Sequence, residues 1–396
     1  MRKMMFLLPF AALAMASCSS SEDSLVQPQP ELNTELKIFP SVGASTRGTV
    51  ETTASISSFN LIASGNFKTN ATGTTDYVFT SPISVTKSGT TWGMTPTLYW
   101  GDATTAGKFT AYANAYSNTG AIEAANGMLS GVTVETIVDN QKDLLVAYNE
   151  GTKTDFAAGV PLHFRHAMSQ IVVKASYNVD PDIDTNDYPS RVINVKGVKF
   201  FNLNNKATLA LPTASTAAGQ DYTPAWSAHS GNADFGVTYD TPITLGSTAS
   251  AIDLSMAANP LLLLPQTTAA TTALPDNSAE NTAGVTSATG AYMAVLVDIN
   301  EENGTDYYPK AGYTGDGGYA WVVVPVSIEW VGGSKYIYTL NFTNGAFGAI
   351  APGTAADAIP GGKVAGNSLP AALLTPVKFL VTVEEEWTEY NATPAF

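Results

Sequence analysis

Cysteine, histidine and charged residues are all scarce in this sequence of 396 residues. It holds one cysteine and three histidines, and 13% of its residues are charged. A lone thiol forms no internal disulfide, so an apolar core and hydrogen bonds must hold the fold. The net charge of −15 disfavours binding to nucleic acid. The hydrophobic fraction of 44% excludes a wholly disordered chain.

Patterns that carry catalysis are also missing. The sequence has neither a GxSxG nucleophile elbow nor a phosphate-binding glycine loop with lysine. The acids in 384–386 are consecutive, and His163 and His166 are three apart, so on strands each set divides between two faces. The acidic loop 180–187 lacks the glycine and closing glutamate of an EF-hand, and calcium binding there stays open. We expect no enzyme activity, no cofactor and no metal centre.

The amino-terminal segment has the pattern of an export signal. A short basic start precedes the apolar run MMFLLPFAALAMA, which is too short to span a bilayer comfortably. The run ends in MASCSSSED, where small residues precede Cys18, the pattern of a bacterial lipoprotein signal. We therefore predict a signal peptide over residues 1–17 and lipidation of Cys18, with an ordinary signal peptide as the alternative. A surface-exposed lipoprotein of the outer membrane is the expected location.

Strand patterns dominate the rest of the chain. Residues 18–47 begin as a Ser-, Gln- and Pro-rich tether and then contain ELKIFPSV, in which Leu36 and Ile38 alternate with polar residues. Short apolar stretches separated by turn residues follow. They predict an all-β protein with two β-sandwich domains in series, over 48–160 and 161–387. We interpret most of the tryptophans and tyrosines as core residues.

A solitary arginine lies just after the ELKIFPSV strand. Arg47 is the only arginine between the leader and Arg165, and it lies in the small, polar stretch ASTRGTV. An exposed connection of this kind is open to proteolysis. An arginine-specific protease could therefore reach the bond between Arg47 and Gly48.

Several segments, taken in order, resemble the fimbrillins, which are subunits of type V pili. They are the lipoprotein leader, STRGT, TLYW with GKFTAYANAY, QKDLLVA, LHFRHAMSQIVVKA, PLLLLPQ and VPVSIEWVGGSKYIYTLNF, followed by V-x-V-x-x-x-W. The resemblance implies two tandem transthyretin-like β-sandwich domains. It also implies a lipid-anchored precursor, a cut at the position of Arg47 by an arginine-specific surface protease, and polymerisation with other pilus subunits.

Strand exchange would explain such polymerisation. A sheet that loses an edge strand exposes unpaired backbone groups and an apolar groove, which another chain's strand can fill. We predict that the ELKIFPSV strand, with Leu36 and Ile38, occupies this groove in the precursor and leaves after the cut at Arg47.

Residues 388–396 are the predicted donor, because Tyr390, Ala392 and Phe396 share one face. Residues 376–387 would form the last strand of the second domain. We further expect pairing of the donor to end near Pro394, which has no N–H.

One alternative and one question stay open. The alternative is a surface lipoprotein that does not polymerise and that binds glycans or host ligands through loops and exposed aromatic residues. The question is whether a pilus subunit of this sequence belongs to the stalk, the tip or the anchor.

Overall fold

The computed structural model confirms the all-β class. It describes residues 34–42, 55–72, 76–77, 81–117, 120–121, 124–177, 191–213, 224–245, 252–253, 261–269, 290–301, 304, 306–309, 314, 317–342 and 378–384. These residues form 26 strands and one short 3-10 helix at Val138–Asn140. None of the helices among them is long and apolar enough to cross a membrane.

The strands, in chain order, are β1 (Ile38–Val42), β2 (Ser58–Ser64), β3 (Phe67–Lys68), β4 (Ile83–Ser88), β5 (Thr91–Thr95), β6 (Tyr99–Trp100), β7 (Gly107–Ala113), β8 (Tyr116–Ser117), β9 (Gly120–Ala121), β10 (Met128–Thr133), β11 (Leu145–Gly151), β12 (Val160–His166), β13 (Ser169–Ser176), β14 (Arg191–Leu203), β15 (Lys206–Ala210), β16 (Ala225–Ser230), β17 (Ala233–Thr244), β18 (Ile252–Asp253), β19 (Leu261–Leu263), β20 (Thr267–Thr268), β21 (Tyr292–Glu301), β22 (Asp306–Tyr308), β23 (Ala320–Pro325), β24 (Ile328–Glu329), β25 (Lys335–Asn341) and β26 (Lys378–Glu384).

A seven-stranded sheet holds most of the amino-terminal strands, in the order β1-β12-β11-β7-β2-β4-β5. Residues 145–149 of β11 are buried on both faces. Strands β2 and β12, and the first part of β7, alternate buried and more accessible residues because one face packs on a core. The buried face of β12, for example, carries Val160, Leu162 and Phe164. These side chains belong to one apolar cluster that spans residues 36–164.

Most of the later strands form two further sheets. One sheet has the order β18-β13-β25-β26, with β19 also paired to β13, and another has the order β17-β14-β21-β22, with β23 paired to β21. Strand β26 runs antiparallel to β25, so residues 378–384 do form a strand of this later sheet. A second large apolar cluster spans residues 112–342.

The division into two tandem sandwiches stays a prediction. The two apolar clusters are in accord with two packing units, but the three-stranded sheet β10-β15-β16 joins strands on both sides of residue 160. Tyr112, Leu129 and Leu144, all of which precede that residue, also pack in the second cluster. The part of the chain up to residue 160 therefore contributes to both cores.

Candidate functional site: the groove of strand β1

Strand β1 lies at one edge of the seven-stranded sheet. It pairs with β12 in parallel, and the register places Ile38 opposite Val160, Pro40 opposite Leu162 and Val42 opposite Phe164. Parallel strands require a long connection, and more than a hundred residues separate these two along the chain. The first strand of the described chain is thus held by a sheet whose other members all come later.

One face of this segment is buried. Leu36, Ile38 and Val42 are exposed by 1%, 3% and 9%, and Pro40 between them is also buried. The three aliphatic side chains belong to the same apolar cluster as Phe59 and Phe164. The groove is therefore a continuation of the amino-terminal core, and β1 covers it.

Backbone hydrogen bonds leave the segment on two sides. On the β12 side, the Val160 N–H donates to the Lys37 carbonyl at 2.8 Å. On the other side, the Leu36 N–H donates to the Leu98 carbonyl at 2.8 Å, and the Trp100 N–H donates to the Thr34 carbonyl at 3.0 Å. Backbone polar groups alternate sides along a strand, so even-numbered residues point theirs away from β12 and odd-numbered residues point theirs toward it.

The outward face makes two specific contacts. The ring of Phe39, half exposed, lies over Gly159, where a Cβ atom would collide with it. Gly159 also has a φ of +135°, which disfavours any side chain. The Ser41 hydroxyl lies 2.6 Å from His163 Nδ1, in a hydrogen bond whose donor depends on the tautomer of the imidazole. Burial, and then the charge of Arg165, lower the pKa of His163 below its ordinary value.

A tight turn positions the beginning of β12. The Thr152 N–H and hydroxyl both donate to Asp155 Oδ2, at 2.8 and 2.7 Å, and these bonds lower the pKa of Asp155. A cavity of about 280 Å³ lies beside this turn and the start of the β1 segment. Its walls include Glu35, Lys37, Trp100, Lys153 and Phe156.

Two of the histidines and two of the tryptophans make contacts typical of structural residues. His166 is buried, and its Nδ1 lies 2.9 Å from Oδ2 of the equally buried Asp143. His229 Nε2 lies 2.7 Å from the Pro265 carbonyl oxygen. Trp100 and Trp330 are each 3% exposed. Within the described ranges no group of three potential ligands is placed to hold a metal ion.

The structure describes only part of the predicted site. Leu36 and Ile38 lie in the β1 segment, buried in the groove. Cys18, Arg47, Gly48 and the donor residues Tyr390, Ala392 and Phe396 lie outside the described residues, as does the acidic loop 180–187. Lipidation, the cut and the donor strand therefore stay predictions.

Sequence reasoning missed the outer contacts of β1. Nothing in the sequence pairs Ser41 with His163, because 122 residues separate them. Gly159 gave a weak signal, because a glycine in a turn before a strand often adopts a positive φ or leaves space for a neighbouring group. The 98–100 segment, which bonds the start of the strand from the other side, gave none.

The profile of the fimbrillin-like family matches residues 44–356. The chain belongs to the fimbrillin-like family. Among solved structures, a fimbrial protein from Bacteroides vulgatus is 16% identical, with a TM-score of 0.45, and the match covers 79% of this chain and 96% of that one. A fimbrilin from Porphyromonas gingivalis is 10% identical, with a TM-score of 0.40, and the match covers 89% of this chain and 96% of that one. No curated protein matches the sequence.

Proposed function

We propose that this fimbrillin-like chain is a structural subunit of a surface fimbria that polymerises by strand exchange. Family membership supports a role as a pilus subunit or in adhesion. In the proposal the exported precursor is anchored in the outer membrane through Cys18, and an arginine-specific surface protease then cuts after Arg47. Strand β1 leaves, and residues 388–396 of another subunit fill its groove.

The observation that carries the proposal is the position of β1 at a sheet edge, with its buried side chains all apolar. We call these side chains the inner row: Leu36, Ile38, Pro40 and Val42. A cut after Arg47 would leave the strand held by noncovalent contacts alone. Its departure would expose the unpaired backbone of β12 and the apolar surface that Leu36, Ile38 and Val42 cover. An edge of this kind binds extended peptides, with backbone bonds giving affinity and the alternate side chains giving specificity.

The test uses residues 18–396 with Cys18→Ser, which we call the leaderless chain. Brief treatment with an arginine-specific protease should give a new amino terminus at Gly48 and a ladder of oligomers in SDS gels run without boiling. Arg47→Lys is the matched control, because it keeps the positive charge but resists this protease. Trypsin, which cuts after lysine as well, should restore the ladder from Arg47→Lys.

Two results would count against the proposal. A ladder from Arg47→Lys after the arginine-specific protease would refute processing at this residue. Complete cutting at Gly48 with no oligomer would refute strand exchange and favour the surface lipoprotein that binds glycans or host ligands without polymerising.

A further inference from the structure

Residues 388–396 repeat the sequence pattern of the β1 segment position by position. Residues 34–42 read TELKIFPSV and residues 388–396 read TEYNATPAF. Thr, Glu and Pro are identical at the first, second and seventh positions. The third, fifth and ninth positions are apolar in both segments, and the eighth is small in both.

The shared proline falls where the sheet tolerates it. Lys37 directs its carbonyl at β12, and Leu36 directs its N–H to the opposite side. Because these directions alternate along the strand, the nitrogen of Pro40, like that of Leu36, points away from β12. A proline at position 39 or 41 would instead remove a donor directed at β12. Strand β1 continues through Pro40 to Val42, so a proline at this position of the groove does not end the pairing. The expectation that pairing of the donor ends near Pro394 stays untested, because residue 394 lies outside the described residues.

Given the strand exchange proposed above, on which this inference rests, we infer that residues 388–396 of a second copy enter the groove in the register of residues 34–42. Pro394 then takes the place of Pro40, and Tyr390 and Phe396 take the places of Leu36 and Val42. A shift by one residue would turn the apolar row outward and direct the proline at β12. A shift by two residues would no longer place the Thr, Glu and Pro of the donor at the positions of the identical residues of the β1 segment.

This register makes one inner position poorly filled. Ala392 enters the space that Ile38 occupies in the precursor, where Ile38 is only 3% exposed. The donor is thus larger than β1 at both ends of the row and smaller in its middle. Ala392 and Pro394 are accordingly the residues that decide tightness and register.

Cysteine pairs in the leaderless chain test the register directly. Adjacent strands lie about 4.8 Å apart, which suits a disulfide between directly paired residues. The register places Ala395 where Ser41 contacts His163, so Ala395→Cys with His163→Cys should give disulfide-linked oligomers after the cut. Thr393→Cys with His163→Cys reports a shift by two residues and should give few.

The outcomes separate this inference from strand exchange itself. Oligomers cross-linked mainly through position 393 would overturn the register while leaving strand exchange intact. A cross-link within single chains would overturn the second copy as the occupant. If the leaderless parent, without added cysteines, gives no SDS-resistant ladder after the cut, the proposed function fails and the register falls with it.

A second measurement tests the underfilled position. Ala392→Ile should slow the dissociation of the oligomers roughly fiftyfold, because it adds three buried carbons to the inner row. Asn391→Ile adds an isoleucine to the outward row and is the matched control, with no comparable slowing expected. Equal effects of the two variants, or no effect of Ala392→Ile, would overturn the assignment of Ala392 to the place of Ile38.

Discussion

Replacing Ile38 with alanine should free strand β1 from the cut precursor. Ile38 is 3% exposed and lies at the centre of the inner row, within the cluster that contains Phe59 and Phe164. Truncating a buried isoleucine to alanine costs about 2–5 kcal/mol, because contacts are lost and a cavity remains. At 1.4 kcal/mol per factor of ten, the strand should dissociate roughly thirty to a few thousand times faster.

The assay should not depend on where the natural protease cuts. A recognition sequence for a site-specific protease replaces residues 44–50 in the leaderless chain, and the amino-terminal fragment is followed by size exclusion and mass spectrometry after the cut. Lys37→Ala is the matched control, since Lys37 is exposed and contributes its carbonyl, which alanine keeps, to the bond from Val160.

The reasoning would be refuted in either of two ways. Release of the Ile38→Ala fragment at the parent rate would mean that the inner row does not hold the strand. Equally fast release of the Lys37→Ala fragment would mean that the buried side chains of β1 hold the strand no more firmly than its exposed ones. Urea unfolding of both variants before the cut would show whether the rest of the fold is intact.

Three further predictions concern the surroundings of the groove and the adjoining core. Gly159→Ala should speed the release of β1, because the added Cβ meets the ring of Phe39. Phe39→Ala in the same chain should relieve part of that effect. If the two substitutions change the release rate additively, the collision is excluded. Asp143→Ala should lower the free energy of unfolding in urea by about 1–3 kcal/mol, since it removes the partner of a buried histidine; an equal loss in the exposed Lys142→Ala would contradict this. Burial lowers the pKa of His163, so the unfolded chain takes up a proton near pH 6.5 before the folded chain does. The free energy of unfolding should therefore fall below pH 6.5 by up to about 1.4 kcal/mol per pH unit until the lowered pKa is reached; an unchanged slope in His163→Asn would refute the assignment.

The sequence predicted what is local to the strand and missed what depends on its partners. The alternation of residues 36–42 assigned Leu36 and Ile38 to one face, because the period of two is a property of the strand alone. The pairing of β1 with β12 joins segments far apart in sequence, and hydrophobic alternation does not distinguish one edge from another. The contact between Ser41 and His163 was missed for the same reason.

The all-β class could be predicted because many short apolar stretches, such as those that became β2, β7 and β12, each carry the pattern of a strand. The predicted domain boundary at residue 160 stays a prediction. Strand β10 has an ordinary strand pattern, yet it pairs with β15 from beyond that residue. Strand patterns give the class of a fold, whereas sheet membership depends on packing between distant segments.

The two segments proposed for the one groove differ mainly on their outward faces. In the proposed register both would present an apolar inner row and a proline directed away from β12. Only β1 adds Phe39 over Gly159 and Ser41 against His163; the matching residues of the donor are threonine and alanine. A change to the inner surface of the groove would therefore weaken both the precursor and the fibre. Under the proposed exchange, a change at Phe39 or Ser41 would act on the precursor alone, because both residues leave with β1. The outward face of β1 is therefore the place where the timing of exchange could be adjusted without loss of fibre stability.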